Sequence, residues 1–272
     1  MTTFLFWNIN QKPRERLIAN LAVKHEVDVL MLAECVITSG VMLKALNQGR
    51  GAQFHLPDSP HHKLVIYTRF PRRFLETREN SKHPRFTIRH LRLPERPDLL
   101  LVVVHSPSKR NWKEESQAFE CRELAADIRK AEEEVGHTRT VLVGDLNMNP
   151  FEGGMIAANG LHAVMTRDVA LKRPRMIQAR RYPFFYNPMW GHFGDATEGP
   201  PGTYYFERAE QAIFFWNMFD QVLLRPDLLP YFRNEELKIL TEDGTTSFLS
   251  ARGLPDASVA SDHLPILFKL HL

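Results

Sequence analysis

Apolar residues recur along the chain at two spacings, and the switches between them mark out the elements. Over 3–9 the side chains alternate as in a strand, which puts Phe4, Phe6 and Asn8 on one face. Pro13 suits the first turn of a helix, and Leu17, Ile18, Leu21, Ala22 and His25 form its apolar stripe. The short apolar run 27–33 reads as a buried strand, and a second helix is predicted over 39–46. Strands are predicted at 63–68, at 85–93 and, most apolar of all, at 99–104. A long helix over 112–135 follows, with Ala118, Cys121, Ala125, Ile128 and Val135 on one face. Glu132, Glu133 and Glu134 near its end are expected on water. A buried strand at 140–143 ends at Gly144, and a helix is predicted to begin near Phe151. Strands at 219–224 and 266–270 complete the pattern. Between 166 and 210 the periodicity is lost. That stretch is rich in Pro, Gly, Arg and aromatics and reads as long loops with short elements, in the manner of a lid.

No repeat or linker interrupts the series, so 1–272 is expected to form a single domain with a loop-rich insertion around 166–210. A chain of 272 residues with 43% hydrophobic and 25% charged residues is ordinary for a globular protein and excludes disorder. No run approaches 18 apolar residues, so a membrane-spanning helix is not expected. The opening Met-Thr-Thr-Phe-Leu-Phe-Trp lacks the regions of a signal peptide. The two cysteines, Cys35 and Cys121, do not make a disulfide framework. A reducing, cytoplasmic setting is expected.

Net charge is +3, which permits a phosphate-bearing partner without demanding one. Its distribution changes the picture. Residues 69–96 hold nine Lys/Arg against three acids, and 167–181 hold six against one, whereas 227–272 hold four against seven. These runs are either scattered solvated charge or two basic rims around a site that handles phosphate.

Polar residues that directly follow buried apolar strands stand where α/β proteins place their sites. Gly144-Asp145-Leu146-Asn147 follows such a strand. If extended, it would aim Asp145 and Asn147 to one side, a carboxylate and an amide suited to a water and a phosphate oxygen; a turn with an Asx hydrogen bond is the plainer reading. Ser261-Asp262-His263 precedes the last strand and pairs a carboxylate with an imidazole. Glu34 ends an apolar run, where an acid needs a cation or an Arg partner. His105 ends the most apolar strand, and Asp220 interrupts another apolar run, where it could orient a histidine.

Taken in order, Asn8, Glu34, His105, Asp145 with Asn147, Asp220, and Asp262 with His263 resemble the endonuclease/exonuclease/phosphatase superfamily of metal-dependent phosphodiesterases. The resemblance covers about residues 3 to 271. It implies an α/β (α+β) four-layer sandwich, with two mixed sheets face to face, helices outside and the site at one edge. It also implies Mg²⁺, with Mn²⁺ as a substitute. Carried over residue by residue, Glu34 becomes the principal metal ligand with Asn8 close by, and Asn10 is a rival for Asn8's role. Asp145 would orient or deprotonate the attacking water, and Asn147 would hydrogen-bond the scissile phosphate. His263 would contact that phosphate or move a proton, oriented by Asp220, while Asp262 supports the metal or water network. His105 resembles the second histidine of deoxyribonuclease-like and phosphatase members. Abasic-site endonucleases commonly carry a tyrosine there, which is a point against abasic-site repair. One departure stands out. Deoxyribonuclease-like members place an acid before the fourth strand to pair with the counterpart of His105, but the comparable stretch Ser59-Pro60-His61-His62-Lys63 has none, and Glu76 is the nearest later acid.

The superfamily cuts DNA and RNA and also dephosphorylates lipids, nucleotides and head groups. A nuclease with nucleic acid as its partner is the leading expectation. A phosphatase or phosphodiesterase for a small phosphorylated molecule or lipid head group is the alternative, and a non-catalytic module that keeps the fold is a third. For substrate contact the candidates are Lys109 and Arg110 after His105, and Arg181, Tyr186 and Trp190 in the basic, aromatic stretch, where rings beside cations can stack bases. The same rings could instead pack the loop onto the core.

Overall fold

Alternating strands and striped helices close over two sheets. The computed structural model describes residues 1–49, 53–57, 63–78, 83–110, 112–172, 174–209 and 211–272. Its strands begin with β1 (Thr2–Asn8), β2 (Val29–Ala33), β3 (Leu64–Thr68), β4 (Leu75–Thr77), β5 (Phe86–Leu91), β6 (Leu99–His105) and β7 (Thr140–Asp145). They continue with β8 (Ala163–Val164), β9 (Arg175–Ile177), β10 (Arg180–Tyr182), β11 (Phe185–Tyr186), β12 (Tyr204–Tyr205), β13 (Trp216–Asn217), β14 (Asp220–Leu224), β15 (Lys238–Ile239) and β16 (Ile266–Leu270). The α-helices are α1 (Glu15–Lys24), α2 (Ser39–Leu46), α3 (Glu114–Val135), α4 (Gly153–Ile156) and α5 (Arg167–Leu171).

One sheet has the order β15-β16-β1-β2-β3, the other β4-β5-β6-β7-β14-β11-β8. Both are mixed, since β1 and β2 run parallel, as do β6 and β7, while β16 and β14 are antiparallel to their neighbours. Successive side chains face opposite ways, so one strand serves two layers. Phe4 and Phe6 join Leu101, Val103, Val141 and Val143 in the core between the sheets. Leu5 and Trp7 face outward under α1 and α2, with Ile18, Leu21 and Met42. On the far side, Leu100, Val102 and Leu142 pack under α3 through Cys121, Leu124 and Ile128. The result is the expected four-layer α/β sandwich. No helix among the described residues is long and apolar enough to cross a membrane.

One expectation needs correction. Glu132 does not face water: it is 5% exposed and accepts from Arg225 Nε at 2.8 Å and from Thr140 Oγ1 at 2.7 Å. It falls on the buried face of α3, with Ile128 one turn earlier, and Arg225 just after β14 supplies the charge that makes burial tolerable. The 166–210 stretch holds short elements, α5, β9, β10 and β12, and its two-residue β11 is an inner strand of the seven-stranded sheet.

Candidate active site

The strand registers assemble the site. His105 ends β6, Asp145 ends β7 and Asp220 opens β14, and they are direct neighbours across the sheet, His105↔Asp145 and Asp220↔Asp145. In the other sheet Asn8 ends β1, Glu34 follows β2, and His263 lies three residues before β16. Both sets meet at one end of the sandwich. The two halves are stitched together there: Ser261 Oγ donates to Asn8 O at 2.8 Å, and Trp7 Nε1 donates to His263 O at 2.9 Å.

Asp145 is 1% exposed and central. Its Oδ2 accepts from Asn8 Nδ2 at 2.9 Å, and its Oδ1 accepts from the Asn147 backbone N–H at 2.8 Å. Two imidazoles flank it, His105 Nε2 at 3.8 Å and His263 Nε2 at 3.9 Å from Oδ2. Gly144 before it lies so close to β6 that a Cβ would meet Val104 O at 1.9 Å. The convergence of Asp145 and Asn147 does not come from strand alternation. Asn147 has φ +50°, a conformation asparagine tolerates, and folds its N–H back onto Asp145. The Asx turn and the functional cluster are one structure. Asn147 Nδ2 donates to Ser106 O at 3.0 Å, which leaves its second amide hydrogen available.

His263 and Asp220 form a buried pair, Nδ1 to Oδ2 at 2.8 Å. Burial pushes the Asp220 carboxyl up, with the adjacent imidazole opposing. Burial also works against the imidazolium, but the carboxylates of Asp220, Asp145 and Asp262 together raise His263 to about 10. The pair titrates as one unit. Three groups lining one volume (Asp145, Asp220 and His263) could in principle hold a cation. We read them instead as a charged dyad beside a separate carboxylate, because the His263 Nδ1 and fully buried Asp220 already satisfy each other.

Glu34 has φ +50° and is 27% exposed at its side chain. The hydrogen bond to His105, Oε1 to Nε2 at 3.3 Å, is the main reason its carboxyl lies at about 2, with burial opposing and Gln11 and Asn8 assisting. Among the described residues it has no Lys or Arg salt bridge, and its ion pair there is with His105. Asn8 Nδ2 donates to Asp145, and the same amide helps to lower Glu34. Asn10 is the weaker rival: its backbone N–H donates to Asn8 Oδ1 at 3.0 Å. An ionised, part-exposed carboxylate beside an amide oxygen and Asp145 is an all-oxygen donor set, which fits a hard divalent cation. Ser59, Pro60, His61 and His62 lie outside the described residues, and Glu76 pairs with Arg92, so among the described residues neither stretch supplies His105 with an acid. His105 therefore leans on Glu34 itself, and its buried Nδ1 has no partner.

Asp262 lies next to His263, just before β16. It bonds its neighbour Ser261 at 3.4 Å and acts on His263 through its field. Lys109 pairs with Glu152 and lies 5.5 Å from the Phe219 ring centroid, while Arg110 acts on the Tyr204 hydroxyl through its charge. Arg181 is exposed on β10. Tyr186 is corrected as a substrate contact: it is 4% exposed, belongs to the inter-sheet core, and its hydroxyl donates to Asn234 Oδ1 at 3.1 Å. Trp190 remains part-exposed and touches Phe151.

Sequence reasoning missed three supporting residues. Gln117, 1% exposed, donates to Pro107 O and Asn147 O and so braces the loops after β6 and β7. Its signal was a polar residue four positions before Cys121 on the apolar stripe of α3. Thr203 Oγ1 accepts from the Asp220 backbone N–H at 3.0 Å. Tyr204 lays its ring 4.7 Å from the His263 ring and 5.3 Å from Phe219. Nothing in the local pattern separates these last two from loop packing.

A family model, the endonuclease/exonuclease/phosphatase family, matches residues 5–263. The chain belongs to that family, and it is an enzyme that hydrolyses phosphate esters. Solved structures share its fold at low identity. An endonuclease/exonuclease/phosphatase family protein from Leptotrichia buccalis aligns with TM-score 0.60 and 11% identity over 100% of both chains. The 3′ phosphatase NExo from Neisseria, bound to a product DNA hairpin, gives 0.59 and 15% over 99% of each. D. rerio TDP2 complexed with single-strand DNA product gives 0.57 and 14% over 98% of this chain and 97% of that one. No curated protein matches the chain by sequence.

Proposed function

We propose that the chain is a Mg²⁺-dependent nuclease that hydrolyses phosphodiester bonds of DNA or RNA by in-line attack of water. The observation that carries this reading is the meeting of the Asp220–His263 pair with a second carboxylate pair, Glu34 and Asp145, bridged by Asn8. Glu34 and Asn8 would hold the cation, with Asp262 contributing negative field nearby. Mg²⁺ suits these oxygen donors, with Mn²⁺ as a substitute. When bound, the cation supplies charge stabilisation at the phosphate oxygens. Asp145, fixed on both oxygens, accepts a hydrogen bond from the attacking water and aligns it. Asn147 offers its free amide hydrogen to the phosphate. His263, kept protonated by Asp220, donates to a phosphate oxygen as negative charge builds there. His105, on the other side of Asp145, offers a second imidazole to the same volume.

A polymer substrate is supported by what borders the dyad. Tyr204, Phe219 and Phe206 form a ladder of rings at His263, with Lys109 over Phe219 and Arg208 over Phe206. Such a strip suits bases and phosphates together. The structural relatives with DNA products in their sites point the same way. Both cysteines are free thiols, which supports a reducing compartment such as the cytoplasm.

The test is cleavage of supercoiled plasmid, single-stranded DNA and structured RNA in Mg²⁺, Mn²⁺ or EDTA, with His263→Ala alongside. Metal-dependent cleavage that is lost in the variant is expected, and the preferred polymer names the class. No cleavage of any polymer in either metal would sink the nuclease reading and move the site to small phosphate esters.

A further inference from the structure

A cleft of about 460 Å³ opens at the β8 edge of the seven-stranded sheet. Val164, Met165 and Phe184 give it apolar walls, and His162, Arg175 and Trp190 complete the lining. Its edge strand β8 is the third strand from β7, which carries Asp145. β11 pairs with β14, and β14 with β7. Beyond β11 the chain climbs toward the Asp145 end, because Asn187 Nδ2 donates to Gln221 Oε1 at 2.7 Å and Gln221 is the register partner of Gly144. Trp190 is three residues further on, and its ring meets Phe151 at 6.3 Å. Phe151 follows Asn147 by four residues and touches Phe214, itself 60% exposed, at 5.1 Å. Two strand spacings, about 10 Å, separate β11 from β7.

The cleft contains an unmatched pair of polar atoms. Trp190 Nε1 and His162 Nδ1 are both buried without a hydrogen-bond partner. Burial, foremost, holds the His162 pKa below the usual value, against the opposing pull of the Tyr182 and Pro183 backbone. An imidazole nitrogen donates or accepts according to its tautomer. Native proteins rarely leave buried polar atoms unmet without a ligand or water for them. At the rim the β9–β10 hairpin carries Arg175, Arg180 and Arg181, all exposed.

We propose that this cleft is a base-binding subsite for a single-stranded polynucleotide. One nucleobase enters beside Trp190, its edge offering an acceptor to Trp190 Nε1 and a hydrogen-bonding group to His162 Nδ1. The flanking phosphates lie on Arg175, Arg180 and Arg181. Nucleobase edges present donors and acceptors side by side, which is the pattern the cleft lacks. The inference rests on the nuclease reading and adds a contact away from the reacting phosphate. A second copy of this chain is a poorer occupant, because residues 167–181 hold six Lys/Arg against one acid and would repel their own image.

The experiment is fluorescence anisotropy of the full chain with a fluorescein-labelled single-stranded DNA 12-mer in EDTA, so that binding is read without cleavage. Trp190→Phe keeps a ring and removes the N–H, and should weaken binding about three- to tenfold. Arg175→Glu changes an exposed side chain and should weaken it at least as much. A 12-mer with abasic tetrahydrofuran units throughout keeps its phosphates, and should bind more weakly and ignore Trp190→Phe. Circular dichroism confirms that each variant is folded. If both oligonucleotides bind wild type and Trp190→Phe alike while wild type still cleaves DNA in Mg²⁺, the subsite fails and the nuclease reading stands. If wild type neither binds nor cleaves any polymer, both fail. Self-association lost in Arg175→Glu would make the cleft an interface between copies and also overturn the proposal.

Discussion

His263 stands among three carboxylates, and only Asp220 touches its Nδ1. Asp220→Asn keeps the shape and removes the charge. We expect the His263 pKa to fall from about 10 toward its ordinary range, read by NMR of the ring, and kcat to drop about 10²- to 10⁴-fold. A second histidine–carboxylate cluster, His90, Asp98 and His137, shows how similar residues reach a different end. Arg78 donates to His90 Nδ1 at 3.2 Å, and the Arg139 backbone N–H donates to His137 Nδ1 at 3.2 Å. A ring whose Nδ1 accepts carries its proton on Nε2, and both Nε2 atoms face Asp98 Oδ2, at 2.7 and 3.2 Å. A metal would need those lone pairs, so the cluster is a carboxylate cradle. Burial works against the Asp98 charge, but the bonds from His90 and Arg139 hold its carboxyl at about 2. A depressed folded-state pKa gives stability that is present above the unfolded value near 3.8 and lost as pH falls through about 2. Asp98→Asn should lower Tm by about 2–4 °C at pH 6, a modest effect because the group is part-exposed, and by nothing measurable near pH 2.

The Glu132–Arg225 pair ties the end of α3 to β14, with both partners nearly fully buried. Glu132→Ala leaves a guanidinium without its counter-charge and should cost about 3–5 kcal/mol in urea unfolding. The paired change Glu132→Leu with Arg225→Met should recover most of that loss. The same helix shows what the chain's pattern reveals. Its length and its stripe through Cys121, Ala125 and Ile128 were legible, because burial on one face imposes the 3.6 period. Glu132 on that stripe was misread, since its partner is 93 residues away and no local window contains it. β8, β9, β10 and β11 were invisible for a related reason: at two or three residues each, they are too short to show alternation. The site residues were legible because each ends or opens a long apolar strand, so the interruption marks them. The Asx turn at Asn147 and the Tyr204 ring against His263 depend on backbone direction and tertiary packing, which residue type alone does not specify.

The ring ladder and Lys109 border His263, and the basic hairpin stands at the cleft on the β8 side of the same sheet. A polymer held across three or four of these cations should bind about 10- to 50-fold more weakly at 200 mM than at 50 mM salt, measured by anisotropy. A small uncharged-leaving-group ester would show a nearly flat response. The joining of β1 to β16 has one more consequence, and it concerns timing. Ser261 is made 253 residues after Asn8, yet its Oγ reaches Asn8 O, and Trp7 reaches the His263 carbonyl. Until β16 closes beside β1, Asp220 has no imidazole to hold and Asp145 has only one of its two flanking rings. The pairing of β16 with β1 is thus the folding step that completes the cluster, and a chain still short of it holds the carboxylates without their buried imidazole.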